Sequence, residues 1–199
     1  MLEIEGFILA GGASRRMGTD KAGLKLGGVS FVERIAGALY AVTLDIRLVG
    51  ARDERLAGAF PVVEDVFPGW GALGGLHAAL AACRAPWALV VACDLPFVTG
   101  ELFMRLASLR ENFDAVVPVQ TDGRLQPLCA LYRREACAPR AARLIAAGER
   151  RPRYLLPEIE TRRVAPTELA DLQDSELFLT NVNTPDDFAR ARERMKDEG

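Results

Sequence analysis

Residues 4–21 read IEGFILAGGASRRMGTDK, and the passage from Leu9 to Lys21 decides how the chain is organised. The short apolar run at 4–9 suits a strand buried on both faces, and it must leave its sheet at Ala10. Gly11 and Gly12 supply the turn. Lacking a Cβ, they reach positive φ and let a polyphosphate approach closely enough for backbone N–H groups to point at its oxygens. Arg16 then offers a planar fork and Lys21 a compact ammonium, two forms of positive charge suited to phosphoryl groups. The plainer alternative is a solvated glycine turn with surface basic residues. Two other phosphate loops are excluded. No Gly-Lys-Ser/Thr triplet follows the glycines, and the adjacency of Gly11 and Gly12 breaks the spaced three-glycine dinucleotide pattern.

Strand-like apolar runs recur at 7–9, 46–49, 62–63, 88–91, 115–117 and 128–132, with helical patterns between most of them. This alternation predicts an α/β fold, a mostly parallel sheet covered by helices on both faces. Residues 24–29 predict a small hairpin ahead of a helix over 31–40. Ligands of such sheets sit beyond the carboxyl ends of the strands, where Leu9, Val63 and Val91 all deliver the residues that follow them.

Asp94 emerges at the end of the apolar run 87–93, just before Leu95 and Pro96. A carboxylate so placed suits Mg²⁺, which takes one or two protein carboxylates plus substrate phosphates and keeps several waters. Its plainer reading is a cap for the helix near Glu101, or a turn at Pro96. Asp65 ends the run 62–64 ahead of a glycine-rich loop, where it meets a ribose or the metal, or simply braces the loop as an Asx turn. Residues 71–75 lead into a helix over 76–80, whose first amides are free for an anion or a base edge. His77 on that helix invites assignment as a base, but a phosphate nucleophile is already ionised and needs none. Near the C-terminus, Thr184 reads as an N-cap, Pro185 as the first helical residue, and Asp186 and Asp187 as first-turn acids. Asn181 and Asn183 alternate ahead of it and share one side if the segment is extended.

Composition bounds the remainder. With 199 residues, half of them apolar, the chain can bury about 70% of its unfolded surface, and one domain over 1–199 is expected. A net charge of −2 argues against a dedicated nucleic-acid or membrane surface. The arginines between 140 and 153 read as a solvated helix face, with an acidic partner or a cofactor phosphate as the alternative. Cys83, Cys93, Cys129 and Cys137 lack Cys-x-x-Cys spacing, and with His77 as the only histidine they make a poor zinc set. Reduced, mostly buried thiols in a cytoplasmic protein are expected, since no signal-peptide pattern or membrane-length apolar run occurs.

The opening resembles the signature of the nucleotidyltransferases with a Rossmann-like fold, and within them the molybdenum cofactor guanylyltransferases, whose pattern is LAGGxSxRMGxDK. Leu9, Ala10, Gly11, Gly12, Ser14, Arg16, Met17, Gly18, Asp20 and Lys21 match it, and further blocks follow in order: Glu64-Asp65, the 71–76 run GALGGL, the 93–96 run CDLP, Gln126-Pro127-Leu128 and the 181–185 run NVNTP. The resemblance implies a three-layer sandwich that transfers GMP from GTP to the terminal phosphate of Mo-molybdopterin and releases pyrophosphate. It implies Arg16, Lys21 and Asp94 as catalytic residues, with Asp94 on Mg²⁺. Leu9, Ala10, Gly11, Gly12, Lys21, Asp65, Gly74 and Asp94 are the implied nucleotide-binding set, and Asn181 and Asn183 the acceptor-binding pair. It leaves room for transient contact with molybdoenzymes or cofactor-delivery proteins. The chain departs from the pattern at Ala51, where many relatives carry Asn before an arginine, and at Ala72, where proline is usual. A cytidylyl- or sugar-phosphate nucleotidyltransferase and a non-catalytic GTP-dependent cofactor carrier stay open as alternatives.

Overall fold

The computed structural model describes residues 3–11, 24–51, 58–64, 66–67 and 69–197. Strand β1 (Ile4–Leu9) is buried along its whole length and is flanked by parallel β4 (Ile46–Val49) and β6 (Trp87–Ala92). Strand β5 (Val62–Val63) extends the parallel set beyond β4. Past β6 come β8 (Cys129–Arg133), β7 (Ala115–Pro118) and β9 (Thr161–Val164), so the seven-stranded sheet has the order β5-β4-β1-β6-β8-β7-β9. Strand β8 alone runs against the others, pairing antiparallel with both β6 and β7. All six strand runs expected from the sequence form; β9 is the one they omitted.

Alternation along β1 divides two cores. Ile4 and Ile8 face helix α1 (Phe31–Leu39) and helix α3 (Gly100–Ser108), packing with Val32, Ile35, Leu102 and Phe103. Phe7 and Leu9 face helix α2 (Gly71–Ala82) and helix α4 (Arg134–Ala146), packing with Leu73, Leu76 and Ile145. This is a three-layer α/β sandwich, buried on both faces as a parallel sheet requires. A smaller cluster of Leu26, Phe31, Val182 and Ala191 seats helix α5 (Pro185–Asp197) against the hairpin of β2 (Lys25–Leu26) and β3 (Val29–Ser30). That hairpin turns through Gly27 and Gly28 at φ 58° and 85°, both in the left-handed region that a two-residue turn of this type needs. Among the described residues no helix is long and apolar enough to cross a membrane.

One polar side chain lies inside β1. Glu5 Oε1 accepts the amides of Arg84 and Ala85 at 3.0 and 3.1 Å, and its Oε2 faces the Arg47 guanidinium at 3.6 Å. It ties the loop after α2 to the amino edge of the sheet, the end opposite the expected chemistry.

Helix α1 starts on a capping box. Ser30 Oγ accepts the Glu33 amide at 3.2 Å, and Glu33 Oε2 accepts the Ser30 amide at 2.8 Å. Replacing Ser30 by Ala leaves the Glu33 amide without its acceptor, and urea unfolding should register a loss of about 1 kcal/mol. No loss would mean that apolar packing alone sets where α1 begins.

Candidate active site

At the carboxyl edge the ends of three parallel strands are stitched together. The Val49 carbonyl accepts the amides of both Ala10 and Gly11 at 3.0 Å, and the Gly50 amide donates to the Val63 carbonyl at 3.0 Å. Gly11 and Gly50 meet back to back. A Cβ on Gly11 would lie 3.1 Å from both the Cα and the carbonyl oxygen of Gly50, which itself has φ 68°. Glycine is therefore required by the close approach of two backbones. Since the Gly11 amide is already committed to Val49, Gly11 contributes room for the Gly50 backbone rather than a free N–H. Leu9 and Ala10 are buried, and Gly11 is exposed. Gly12, Arg16, Lys21 and Asp65 lie outside the described residues.

On the other flank of β1 the Cys93 amide donates to the Leu9 carbonyl at 3.1 Å. Asp94 follows in a turn. Its Oδ1 is buried and has no hydrogen-bond partner among the described residues. The cap of α3 is instead Thr99, whose Oγ1 accepts the Leu102 amide at 3.3 Å, so Asp94 does not serve as that cap. A buried carboxylate oxygen without a donor costs free energy unless a ligand supplies positive charge. Among the described residues no three His, Cys, Asp or Glu side chains gather around a common point. A single carboxylate is compatible with Mg²⁺, which takes one or two protein carboxylates and needs no dedicated protein cage.

The structure joins Asp94 to the C-terminal asparagines across the chain. The Val182 amide donates to the Asp94 carbonyl at 2.9 Å, and buried Val182 leaves Asn181 and Asn183 half-buried on either side. Gln126 Nε2 donates to Asn181 Oδ1 at 3.4 Å. Gln126 is a contributor that reading the residues one by one missed; its only sequence signal is its place in the Gln-Pro-Leu block. Thr184 caps α5 as expected. Its Oγ1 accepts the Asp187 amide at 3.1 Å, while Asp187 Oδ2 accepts the amides of Asn183 and Thr184 at 3.0 and 2.9 Å. The Thr184 hydroxyl first, then the Asn183 amide, holds the Asp187 carboxyl below the usual range.

Helix α2 begins at Gly71, not at Leu76, so the glycines lie inside the helix. Gly74 is buried, and the Cβ position of Gly75 lies 3.6 Å from the Leu9 side chain, a contact that draws α2 onto β1. The Leu73 amide donates to the Arg150 carbonyl at 3.1 Å, so one of the first amides of α2 is taken by the chain after α4. Trp70 Nε1 donates to the Glu149 carbonyl at 2.9 Å, and the Arg150 guanidinium lies 4.9 Å over the Trp70 ring. Arg150, Arg151 and Arg153 therefore belong to a strap past the end of α4 rather than to its solvated face. His77 is partly buried and packs edge-on against Phe67, with ring centroids 5.2 Å apart.

All four cysteines are free, with Cys83, Cys129 and Cys137 buried. Burial pushes the Cys83 thiol up to about 11, and those of Cys129 and Cys137 up to about 12. At neutral pH they are protonated and inert, as expected of structural thiols.

A glycine-lined edge beside a carboxylate oxygen with no donor among the described residues, at the carboxyl end of a largely parallel sheet, fits a nucleotidyltransferase. The MobA-like NTP transferase domain profile matches residues 6–163, and the chain belongs to that family. It is 37% identical over 193 residues to a probable molybdenum cofactor guanylyltransferase of Pelotomaculum thermopropionicum, covering 96% of this chain and 93% of the relative. A protein of the same description from Chloroflexus aggregans is 39% identical over 193 residues, with 93% and 91% covered. The crystal structure of molybdopterin-guanine dinucleotide biosynthesis protein A from Archaeoglobus fulgidus superposes with a TM-score of 0.80 at 28% identity, covering 97% of this chain and 99% of that one.

The strap over α2 is pH-sensitive. Hydrogen bonds from the Arg151 side chain, then from the Arg150 and Arg151 amides, hold the Glu149 carboxyl down at about 2, against an ordinary 4.5. Its contribution is complete above about pH 4.5, where the unfolded chain is also ionised, and is lost as pH falls through about 2. Glu149→Gln should therefore be less stable than wild type at pH 7, with the gap closing on acidification in thermal unfolding. A gap independent of pH would show that the carboxylate charge is irrelevant to the strap.

Proposed function

We propose that the protein transfers GMP from GTP to the terminal phosphate of molybdenum-loaded molybdopterin, in the presence of Mg²⁺, forming the guanine dinucleotide cofactor and pyrophosphate. The observation that carries this reading is the buried Asp94 oxygen with no donor among the described residues, on a residue whose own carbonyl binds the Val182 amide and whose neighbour Cys93 binds the end of β1. The guanylyltransferase description of the relatives supports the choice of nucleotide and acceptor.

An oxygen of the ionised acceptor phosphate attacks the α-phosphorus in line. The bond from that phosphorus to the bridging oxygen breaks, and its electron pair leaves with pyrophosphate. No proton has to be removed from the nucleophile, so His77 takes no part. Catalysis rests on positioning and on charge stabilisation. Asp94 would hold Mg²⁺, which when bound offsets negative charge on the phosphates. Arg16 and Lys21 neutralise charge on the leaving pyrophosphate and the α-phosphoryl group, and the Gly12 amide holds the polyphosphate. Leu9, Ala10, Gly11 and Gly74 border the nucleotide, Asp65 meets its ribose, and Asn181 and Asn183 hold the acceptor.

Pyrophosphate release measured side by side with GTP, CTP, ATP and UTP, in the presence of Mg²⁺ and loaded molybdopterin, tests the reading. Release with GTP alone is expected. Release with CTP would move the protein to the cytidylyl relatives, and tight GTP binding without release would make it a carrier.

Asp94→Asn supplies an independent check. Turnover should fall roughly 10²–10³-fold, the loss typical of one preorganised electrostatic contact. The melting temperature should hold or rise, because the substitution removes an unpaired charge. A parallel fall in both would make Asp94 a structural residue.

A further inference from the structure

We propose that the cleft between Phe97 and helix α5 is an oxyanion subsite, in which Arg194, Arg190 and Asn181 hold an anionic group of the acceptor. The cleft has a volume of about 80 Å³ and is lined by Phe97, Thr180, Asn181, Asp187, Arg190 and Arg194. It adjoins the reaction centre through the backbone, since Asn181 precedes Val182, whose amide is bound to the Asp94 carbonyl.

Charge decides what the cleft can take. Arg190 and Arg194 are four residues apart on α5 and so share one face. Among the described residues Asp187 is the only acid lining the cleft, and it is already engaged. Its Oδ2 accepts the amides of Asn183 and Thr184, and its Oδ1 pairs with Arg190. One carboxylate thus balances one guanidinium, and Arg194, which forms no ion pair among the described residues, leaves the cleft net positive.

Hydrogen bonding points the same way. With Asn181 Oδ1 accepting from Gln126, the group Asn181 has to offer a ligand is its NH₂, a pure donor. The Thr180 hydroxyl can add another. Two guanidinium groups and an amide donor against one committed carboxylate suit a compact oxygen anion and disfavour a cation. The naming of the acceptor rests on the function proposed above; the oxyanion chemistry does not. In a phosphorylated acceptor that carries molybdenum, the anion is either the phosphate or the metal-oxo end.

The test uses wild type, Arg194→Gln, the double variant Arg190→Gln/Arg194→Gln, and Arg192→Gln as a control, because Arg192 lies over Phe188 at 6.0 Å and does not line the cleft. Both cleft arginines are exposed, so the variants should fold. In the first arm, inorganic phosphate and then molybdate are titrated into each protein while backbone amide shifts are followed by NMR. Saturable shifts within residues 180–194 of wild type, weakened in Arg194→Gln and absent in the double variant, are expected. No such shifts in wild type overturn the proposal, whether or not the protein turns over molybdopterin.

In the second arm, Kd for molybdopterin is measured by calorimetry with and without molybdenum, alongside KM for GTP. The double variant should bind the acceptor roughly tenfold or more weakly, with KM for GTP unchanged. An equal loss for both acceptor forms assigns the cleft to the phosphate, and a loss confined to the loaded form assigns it to the metal-oxo end; either supports the proposal. Unchanged acceptor binding, or an equal rise in KM for GTP, overturns it.

Discussion

The hydrogen bond of 3.1 Å from the Cys93 amide to the Leu9 carbonyl joins the ends of the two central parallel strands, and the carboxyl edge is assembled from it. One residue before it, β6 is still a strand, half-buried at Ala92; one residue after it comes the Asp94 carboxylate. The Asp94 carbonyl in turn receives Val182, which brings the C-terminal segment and α5 to the same edge. A slip of two residues between β1 and β6 would preserve the in-out pattern of both strands yet carry Asp94 about 6.6 Å along the sheet. Burial on both faces sets which residues point to which core, and this bond, with the register beneath it, sets where the chemistry sits.

Two carboxylates show how differently the fold treats buried charge. Glu5, at the amino edge, has two amides on one oxygen; its other oxygen accepts no hydrogen bond among the described residues but faces the Arg47 guanidinium at 3.6 Å, so an ion pair offsets its charge while it braces a loop. Asp94, at the carboxyl edge, keeps a buried oxygen with no donor among the described residues. An uncompensated group of this kind is tolerated because the two hydrophobic cores supply enough stability to offset it. The contrast lies in the partners: an ion pair and two amides for Glu5, and neither on the buried oxygen of Asp94 among the described residues.

Polar contacts add to apolar packing in the elements that border the edge. The strap at 149–151 reaches α2 through Trp70 and the Leu73 amide, and α5 is oriented by the cap between Thr184 and Asp187 over a small apolar cluster. Such contacts contribute little each and can rearrange at modest cost.

Sequence by itself determined the α/β class, the strand runs, the hairpin at Gly27 and Gly28, the cap at Thr184 in outline, and the emergence of Asp94 from a buried strand. These are local properties, set by periodicity, by conformational preference and by single polar side chains next to the backbone they satisfy. Strand β9 escaped because Arg162 and Arg163 mask its pattern; it pairs only with β7, and a sheet edge accepts charges that a central strand cannot. The start of α2 escaped because glycine is a poor helix former, while packing of Gly75 against Leu9 and the bond to Arg150 override that preference. Strand order, the reversal of β8, the approach of Gly11 to Gly50 and the pairing of Gln126 with Asn181 were decided by tertiary structure alone. Each depends on groups far apart along the chain, and the physical reason is common to all: a residue's pattern records which way it faces, but not which distant backbone it will face.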